Sequence, residues 1–191
     1  AILVETRKIR IGHEAMRNGV WCGDLYRADT TGRELNEMTV GVVGYGTIGT
    51  RLVKILQAFG CRILVNDPYV QLDPFDIAAG VEQVSLEMLL EQSDVVTLHP
   101  RVSHETTQMI NKNTLAKMKS EALLVNTARG PLCNYDDLYK ALKNGIIGSA
   151  MLETFSIEPT PPDWPLLKLD NVTLTPHIAG ASVRTAQYAA Q

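Results

Sequence analysis

The apolar residues of this chain follow two periods in turn. Short unbroken runs, such as Ala122-Leu123-Leu124-Val125, alternate with longer stretches in which apolar positions recur every three or four residues. The runs read as strands and the longer period as helices. Strands are predicted over Thr39–Val43, Arg62–Asn66, Asp94–His99, Leu123–Asn126, Ser149–Leu152 and Asn171–Thr175. Helices are predicted over Thr47–Phe59, Ser85–Gln92, Lys112–Met118 and Tyr135–Asn144. An opening helix extends to about Met16, a glycine-rich loop with Trp21 follows, and Ser182 to Gln191 reads as a helix getting under way. Ser85 is placed to cap its helix, Asn134 and Asp137 have the spacing of a capping box, and Gly145 falls just past a helix end. Apolar runs without alternation suit strands covered on both faces. The order of elements therefore predicts an α/β fold, a parallel sheet between two helix layers. The proline-rich loop from Glu158 to Pro165 reads as a stiff, exposed rim.

One turn in this pattern carries chemistry. Gly44-Tyr45-Gly46-Thr47-Ile48-Gly49 lies between a predicted strand and a predicted helix, and Asp67 ends the next apolar run. Strand, glycines, helix, strand and acid in that order form the fingerprint of a dinucleotide-binding βαβ unit. Gly44 permits the tight turn, Gly46 leaves room for a pyrophosphate, and Gly49 lets the helix pack against the strand. The helix start near Thr47 directs free N–H groups and partial positive charge at the phosphates. Asp67 is suited to accept hydrogen bonds from the adenosine ribose and to repel a 2′-phosphate, which favours NAD over NADP. The expected architecture is a Rossmann-type, doubly wound, three-layer α/β/α domain over residues 1–191.

Bulk properties narrow the setting. The net charge of −3, with 45% hydrophobic and 20% charged residues, is ordinary for a globular domain and gives no electrostatic case for nucleic acid. No apolar run reaches the length of a membrane span. Cys22, Cys61 and Cys133 are scattered and fit neither a metal site nor a disulfide framework, so no metal is expected and a reducing cytosol is. Ala1 to Arg7 reads as the middle of a helix, and the chain is expected to be a fragment of a longer protein.

A parallel sheet binds ligands outside the carboxyl ends of its strands. The polar residues just after the predicted strands are Asp67, His99, the set Thr127-Ala128-Arg129-Gly130, Glu153 and His177. Arg129, Glu158 and His177 are the three able to act together. Imidazole exchanges protons near neutral pH, a carboxylate beside it stabilises its charged form, and a guanidinium fork matches a carboxylate. Together they can hold a 2-keto or 2-hydroxy acid beside a nicotinamide. Taken singly each is more commonly structural; their shared position at one sheet edge points to chemistry.

Four ordered segments resemble the D-isomer-specific 2-hydroxyacid dehydrogenases: Asn126 to Gly130, Gly148 to Phe155, Glu158-Pro159, and Asn171 to Gly180. The resemblance covers nearly the whole chain. It implies a two-domain subunit in which a nucleotide-binding domain is inserted into a substrate domain made from both chain ends, with this chain as the inserted part. It implies that Arg129 anchors the substrate, His177 is the acid/base and Glu158 its partner. It further implies that Asp67 holds the ribose, that Thr47 and Ile48 offer backbone N–H groups to the pyrophosphate, and that His99, Thr127 and Glu153 line the nicotinamide side. It also implies a homodimer formed through this domain, with the opening helix and the Trp21 loop reaching the partner. Two departures stand out: Glu153 replaces the usual Asp, and Pro100 falls one residue early, leaving Arg101 in its usual place.

The expected function is NAD-dependent interconversion of a D-2-hydroxy acid and its 2-keto acid, with the lone domain inactive. The rivals are a non-enzymatic NAD-sensing protein, such as a corepressor on the same scaffold, and another dehydrogenase of this nucleotide fold, such as an alanine dehydrogenase. The order Arg129, Glu158, His177 speaks against the latter.

Overall fold

The structure is a computed structural model, and it describes residues 1–189. The strands are β1 (Thr39–Val43), β2 (Arg62–Asn66), β3 (Glu82–Gln83), β4 (Val95–Leu98), β5 (Leu123–Asn126), β6 (Ser149–Leu152) and β7 (Val172–Leu174). The helices are α1 (Ile2–Thr6), α2 (Ile9–Arg17), α3 (Thr47–Gln57), α4 (Pro74–Ala78), α5 (Leu86–Gln92), α6 (Lys112–Leu115), α7 (Tyr135–Lys143) and α8 (Val183–Ala189). The helix expected at the end of the chain is α8, and residues 190–191 lie outside the described residues.

Every predicted strand forms, although β4 and β7 each lose a residue at both ends. The opening helix is broken in two by Lys8, which takes a left-handed φ of 52°. Neither α4 nor β3 is predicted by the apolar pattern. Asp73 starts α4 by accepting the Phe75 N–H at 2.8 Å, with Pro74 in the first turn, where its missing N–H costs nothing. Two exposed residues make β3, and only their pairing with Leu64 and Val65 defines it. Ser85 caps α5 through the Met88 N–H at 3.2 Å, and Gly145 takes a left-handed φ of 68° beyond α7. The box expected at Asn134 forms only by half. Asn134 accepts the Asp137 N–H at 3.1 Å, but the Asp137 carboxylate accepts from the Lys112 N–H instead.

All seven strands run parallel in the order β3-β2-β1-β4-β5-β6-β7. Successive residues in a strand feed opposite faces. Leu124, Val96, Leu64 and Leu152 pack with Leu89 and Leu90 of α5, Leu115 of α6 and Leu138 of α7. Leu123, Val125, Val95, Ile63 and Met151 pack on the other side with Val53 and Leu56 of α3. Each fully buried Leu or Val contributes about 1.5–3 kcal/mol, so two such faces hold the strand ends in fixed relation. Among the described residues no helix is long and apolar enough to cross a membrane.

Candidate functional site

The chain order reverses between β1 and β4, which opens a crevice at their carboxyl ends. The glycine turn fills that crevice. Gly44 has φ +90°, and a side chain there would press on the Pro100 nitrogen at 2.8 Å and on the His99 carbonyl carbon at 2.9 Å. A Cβ at Gly49 would run into the Gly44 carbonyl oxygen, so α3 can close on the turn only without one. A Cβ at Gly46 would meet no protein atom within 4 Å, so the space in front of that glycine is open. The first helical bond of α3 is Thr50 N–H to Gly46 C=O at 2.9 Å, which leaves the N–H groups of Thr47, Ile48 and Gly49 without a partner in the helix. Asp67 stands beside them. One carboxylate oxygen accepts the Tyr45 N–H at 2.8 Å, and the other accepts from Tyr69 and Val70 at 2.9 and 3.1 Å. A dinucleotide fits this end of the sheet: open space for its phosphates, a helix start facing that space and a carboxylate beside it.

The turn is anchored from below by a network that the sequence pattern does not show. Tyr45, between the first two glycines, is buried, and its hydroxyl bonds the buried Asp76 of α4, which also accepts from Gln57 of α3 at 2.8 Å. Burial, with the Asp76 bond adding to it, pushes the Tyr45 hydroxyl up to about 12. His99 follows β4; burial lowers its pKa to about 4, so its ring is neutral, and Nε2 lies 2.9 Å from the Thr97 hydroxyl. Arg101 is exposed.

A second cluster forms where β5, β6 and β7 end side by side. His177 has a left-handed φ of 50°, and its Nδ1 lies 2.8 Å from Glu158 Oε2. The other Glu158 oxygen accepts the Phe155 N–H at 2.8 Å. The His177 bond first, then the Phe155 N–H, hold the Glu158 carboxyl below the usual carboxylate range, and the nearby Arg129 charge adds a smaller pull in the same direction. Arg129 itself is exposed, with Nη1 folded back onto the Ala128 carbonyl at 2.6 Å. Thr127 is half-buried beside it. Glu153 is only 2% exposed, and its Oε1 accepts the N–H groups of Ile178, at 2.8 Å, and Ala179. The three residues expected to act together are thus brought to one edge, with Glu158 and His177 in direct contact. Their side chains remain 38% and 44% exposed. Among the described residues no group of three His, Cys, Asp or Glu is placed to hold a metal.

Sequence reasoning missed the residues that shape these loops. Asn126, fully buried, accepts the Ala128 N–H at 3.1 Å and donates to the Arg129 carbonyl at 3.0 Å, so it folds the turn that presents Arg129. Gly130 leaves no room for a Cβ against the Phe155 carbonyl, which presses that turn onto the Glu158 loop. Tyr135 bonds the Thr154 carbonyl and packs with Phe155 and Trp164, ring centroids 6.2 and 5.2 Å away. Trp164 is therefore turned inward, although most of its proline-rich loop is exposed as expected. Asn126 carried two signals, a polar residue at the last position of a buried strand and a place at the head of the first resembling segment, but neither disclosed what it bonds.

Comparison with known proteins agrees with this fold and with a dinucleotide cofactor. Residues 1–179 match the family model described as D-isomer specific 2-hydroxyacid dehydrogenase, NAD binding domain. A glyoxylate reductase of Thermofilum pendens is 42% identical over 190 residues, which is 100% of this chain and 56% of that protein. A D-3-phosphoglycerate dehydrogenase of Archaeoglobus fulgidus is 39% identical over 97% of this chain and 34% of its own length. In structure, a D-lactate dehydrogenase from Aquifex aeolicus complexed with NAD and lactic acid superposes with a TM-score of 0.87 at 31% identity, covering 97% of this chain and 59% of that one. The chain thus spans between 34% and 59% of the length of these relatives. It belongs to the D-isomer-specific 2-hydroxyacid dehydrogenase family, of which it carries the NAD-binding domain.

Proposed function

We propose that the protein containing this chain is an NAD-dependent oxidoreductase that interconverts a small D-2-hydroxy acid and its 2-keto acid. The observation that carries this reading is the His177–Glu158 contact at 2.8 Å, beside Arg129, on the sheet edge that also carries the glycine turn. Glu158 occupies Nδ1, so Nε2 is the ring nitrogen free to face substrate. In the oxidative direction His177 takes the hydroxyl proton at Nε2, and the Glu158 carboxylate stabilises the imidazolium. Bound NAD supplies the hydride acceptor, and in reverse NADH supplies the hydride. Arg129 releases its hold on the Ala128 carbonyl and turns its fork to the substrate carboxylate. Thr47, Ile48 and Gly49 offer N–H groups to the pyrophosphate, Asp67 accepts from the ribose, and His99 and Thr127 stand toward the nicotinamide; Glu153 lies on that same side with its Oε1 committed to the Ile178 and Ala179 amides rather than to the cofactor.

The open edge around His177 supports a second wall supplied by the rest of the subunit, which would exclude water and carry most specificity contacts. A homodimer through this domain is supported by α2, which buries none of its residues and exposes Ile9, Ile11 and Met16, and by the exposed Trp21 and Tyr26. The three free cysteines support a reducing compartment, the cytoplasm. A cofactor-sensing role without catalysis is not favoured, since the relatives named above are reductases and dehydrogenases. A panel of 2-keto acids with NADH, starting from glyoxylate and hydroxypyruvate, tests the reading on the full-length protein. Turnover of at least one acid, with NADH preferred over NADPH, is expected; no turnover of any would favour the sensor.

A further inference from the structure

We propose that Glu153 is a positioning residue for His177, strapping the loop that carries the imidazole through its buried carboxylate. This inference rests on the assignment of His177 as the acid/base. Glu153 follows β6 directly and is 2% exposed. A buried carboxylate is costly unless its oxygens are bonded. Here one oxygen collects two consecutive amides, those of Ile178 and Ala179, while the Glu153 main-chain carbonyl accepts the His177 N–H at 2.9 Å. Three successive N–H groups of the catalytic loop thus end on one residue.

The loop needs such a hold. His177 sits at φ 50°, a conformation that costs a β-carbon-bearing residue about 1–2 kcal/mol and persists only where surroundings enforce it. Residues Pro176 to Gly180 are exposed, so packing does not enforce it. What remains is hydrogen bonding: the Glu153 bonds, the His177 N–H to Thr175 carbonyl contact at 3.0 Å, the Ala181 N–H to Ile178 carbonyl bond at 2.9 Å and the Glu158 contact at 2.8 Å, and of these the Glu153 bonds take three successive amides. Only with the backbone so held does Nδ1 meet Glu158. An aspartate here would withdraw the carboxylate by about 1.5 Å, the length of one carbon–carbon bond, and lose the two amides on this backbone. The longer side chain is what makes the strap possible.

The test uses the full-length protein with Glu153→Asp, Glu153→Gln and Glu153→Ala. Fluorescence titration gives the NADH Kd, steady-state kinetics give kcat and KM, and amide exchange reads residues 177–179. A displacement of the order of 1 Å at a catalytic group costs up to about 100-fold in rate. We expect kcat to fall about 10-fold in Glu153→Asp and about 100-fold in Glu153→Ala, with the NADH Kd within about twofold of wild type. Glu153→Gln, which keeps an acceptor oxygen at the same reach, should recover kcat to within about fivefold. Exchange at Ile178 and Ala179 should quicken about 10-fold or more in Glu153→Asp. An unchanged kcat in Glu153→Asp overturns the proposal. So does a Kd raised tenfold at constant kcat, which would make Glu153 a cofactor contact. If wild type turns over no acid, the functional reading fails by itself. The exchange data still decide the strap: unchanged protection in Glu153→Asp removes it. Should Glu153→Ala not fold, the Asp and Gln variants decide alone.

Discussion

The two ends of the sheet edge are built by different means. At the β1–β4 crevice the work is done by backbone: Gly44 turns with φ +90°, Gly49 allows contact with the Gly44 carbonyl, and Asp67 ties three amides. At the β5–β7 end it is done by side chains on loops, with His177 and Glu158 each more than a third exposed. In the function proposed above, the first end holds the cofactor with groups of this chain, and the second carries the reacting pair on a side that stands open. A backbone cradle tolerates little change in shape, whereas a loop-borne dyad depends on what orients it.

That contrast is broken most sharply at His177. In the full-length protein His177→Gln should lower kcat about 1,000-fold while the NADH Kd stays within about twofold. Loss of NADH binding would show that the two ends are not separable. The opposite pattern is expected of Gly49→Val. Its side chain must displace the Gly44 carbonyl, so stability should fall by about 1–3 kcal/mol and NADH binding should be lost. Chemical denaturation and NADH titration measure both; a variant with normal NADH affinity would remove the close-approach argument. Asn126→Ala should cost about 1–3 kcal/mol, because the Ala128 N–H loses its partner and the Arg129 carbonyl keeps only the Leu132 N–H at 3.3 Å. It should raise KM for the keto acid and leave the NADH Kd unchanged, and a change in Kd alone would detach Asn126 from the Arg129 turn.

The smallest effect is a titration. The Glu158 carboxyl is lowered, chiefly by His177, so its stabilising contribution is present above the ordinary glutamate pKa of about 4.3 and fades as pH falls through the lowered value. NMR titration of Glu158 should place its midpoint below that of a free glutamate, and in His177→Ala the midpoint should rise. An unmoved midpoint would mean that the contact does not persist in solution.

The same contrast governs what the sequence discloses. The strands β1, β2, β5 and β6 were legible because residues buried on both faces leave unbroken apolar runs. The glycine turn was legible because backbone geometry demands particular residues at fixed spacing. The two residues of β3 carry no apolar signal, since edge pairing alone makes them a strand. Lys8 breaks the opening helix by a backbone conformation that its residue type does not announce. Arg129, Glu158 and His177 could be placed at one edge by counting strand ends. The hold on them could not, because Asn126, Tyr135 and the Glu153 carboxylate act only once three loops distant in sequence meet.

One sample tests the difference between the two ends most directly. The 191-residue chain is titrated with NADH by fluorescence, and glyoxylate and hydroxypyruvate are then added to the same cuvette. The expected result is saturable NADH binding with no oxidation after the acids are added. Absence of NADH binding, or oxidation at the rate of a full-length enzyme, would contradict the assignment of a complete cofactor cradle beside a half-built active site.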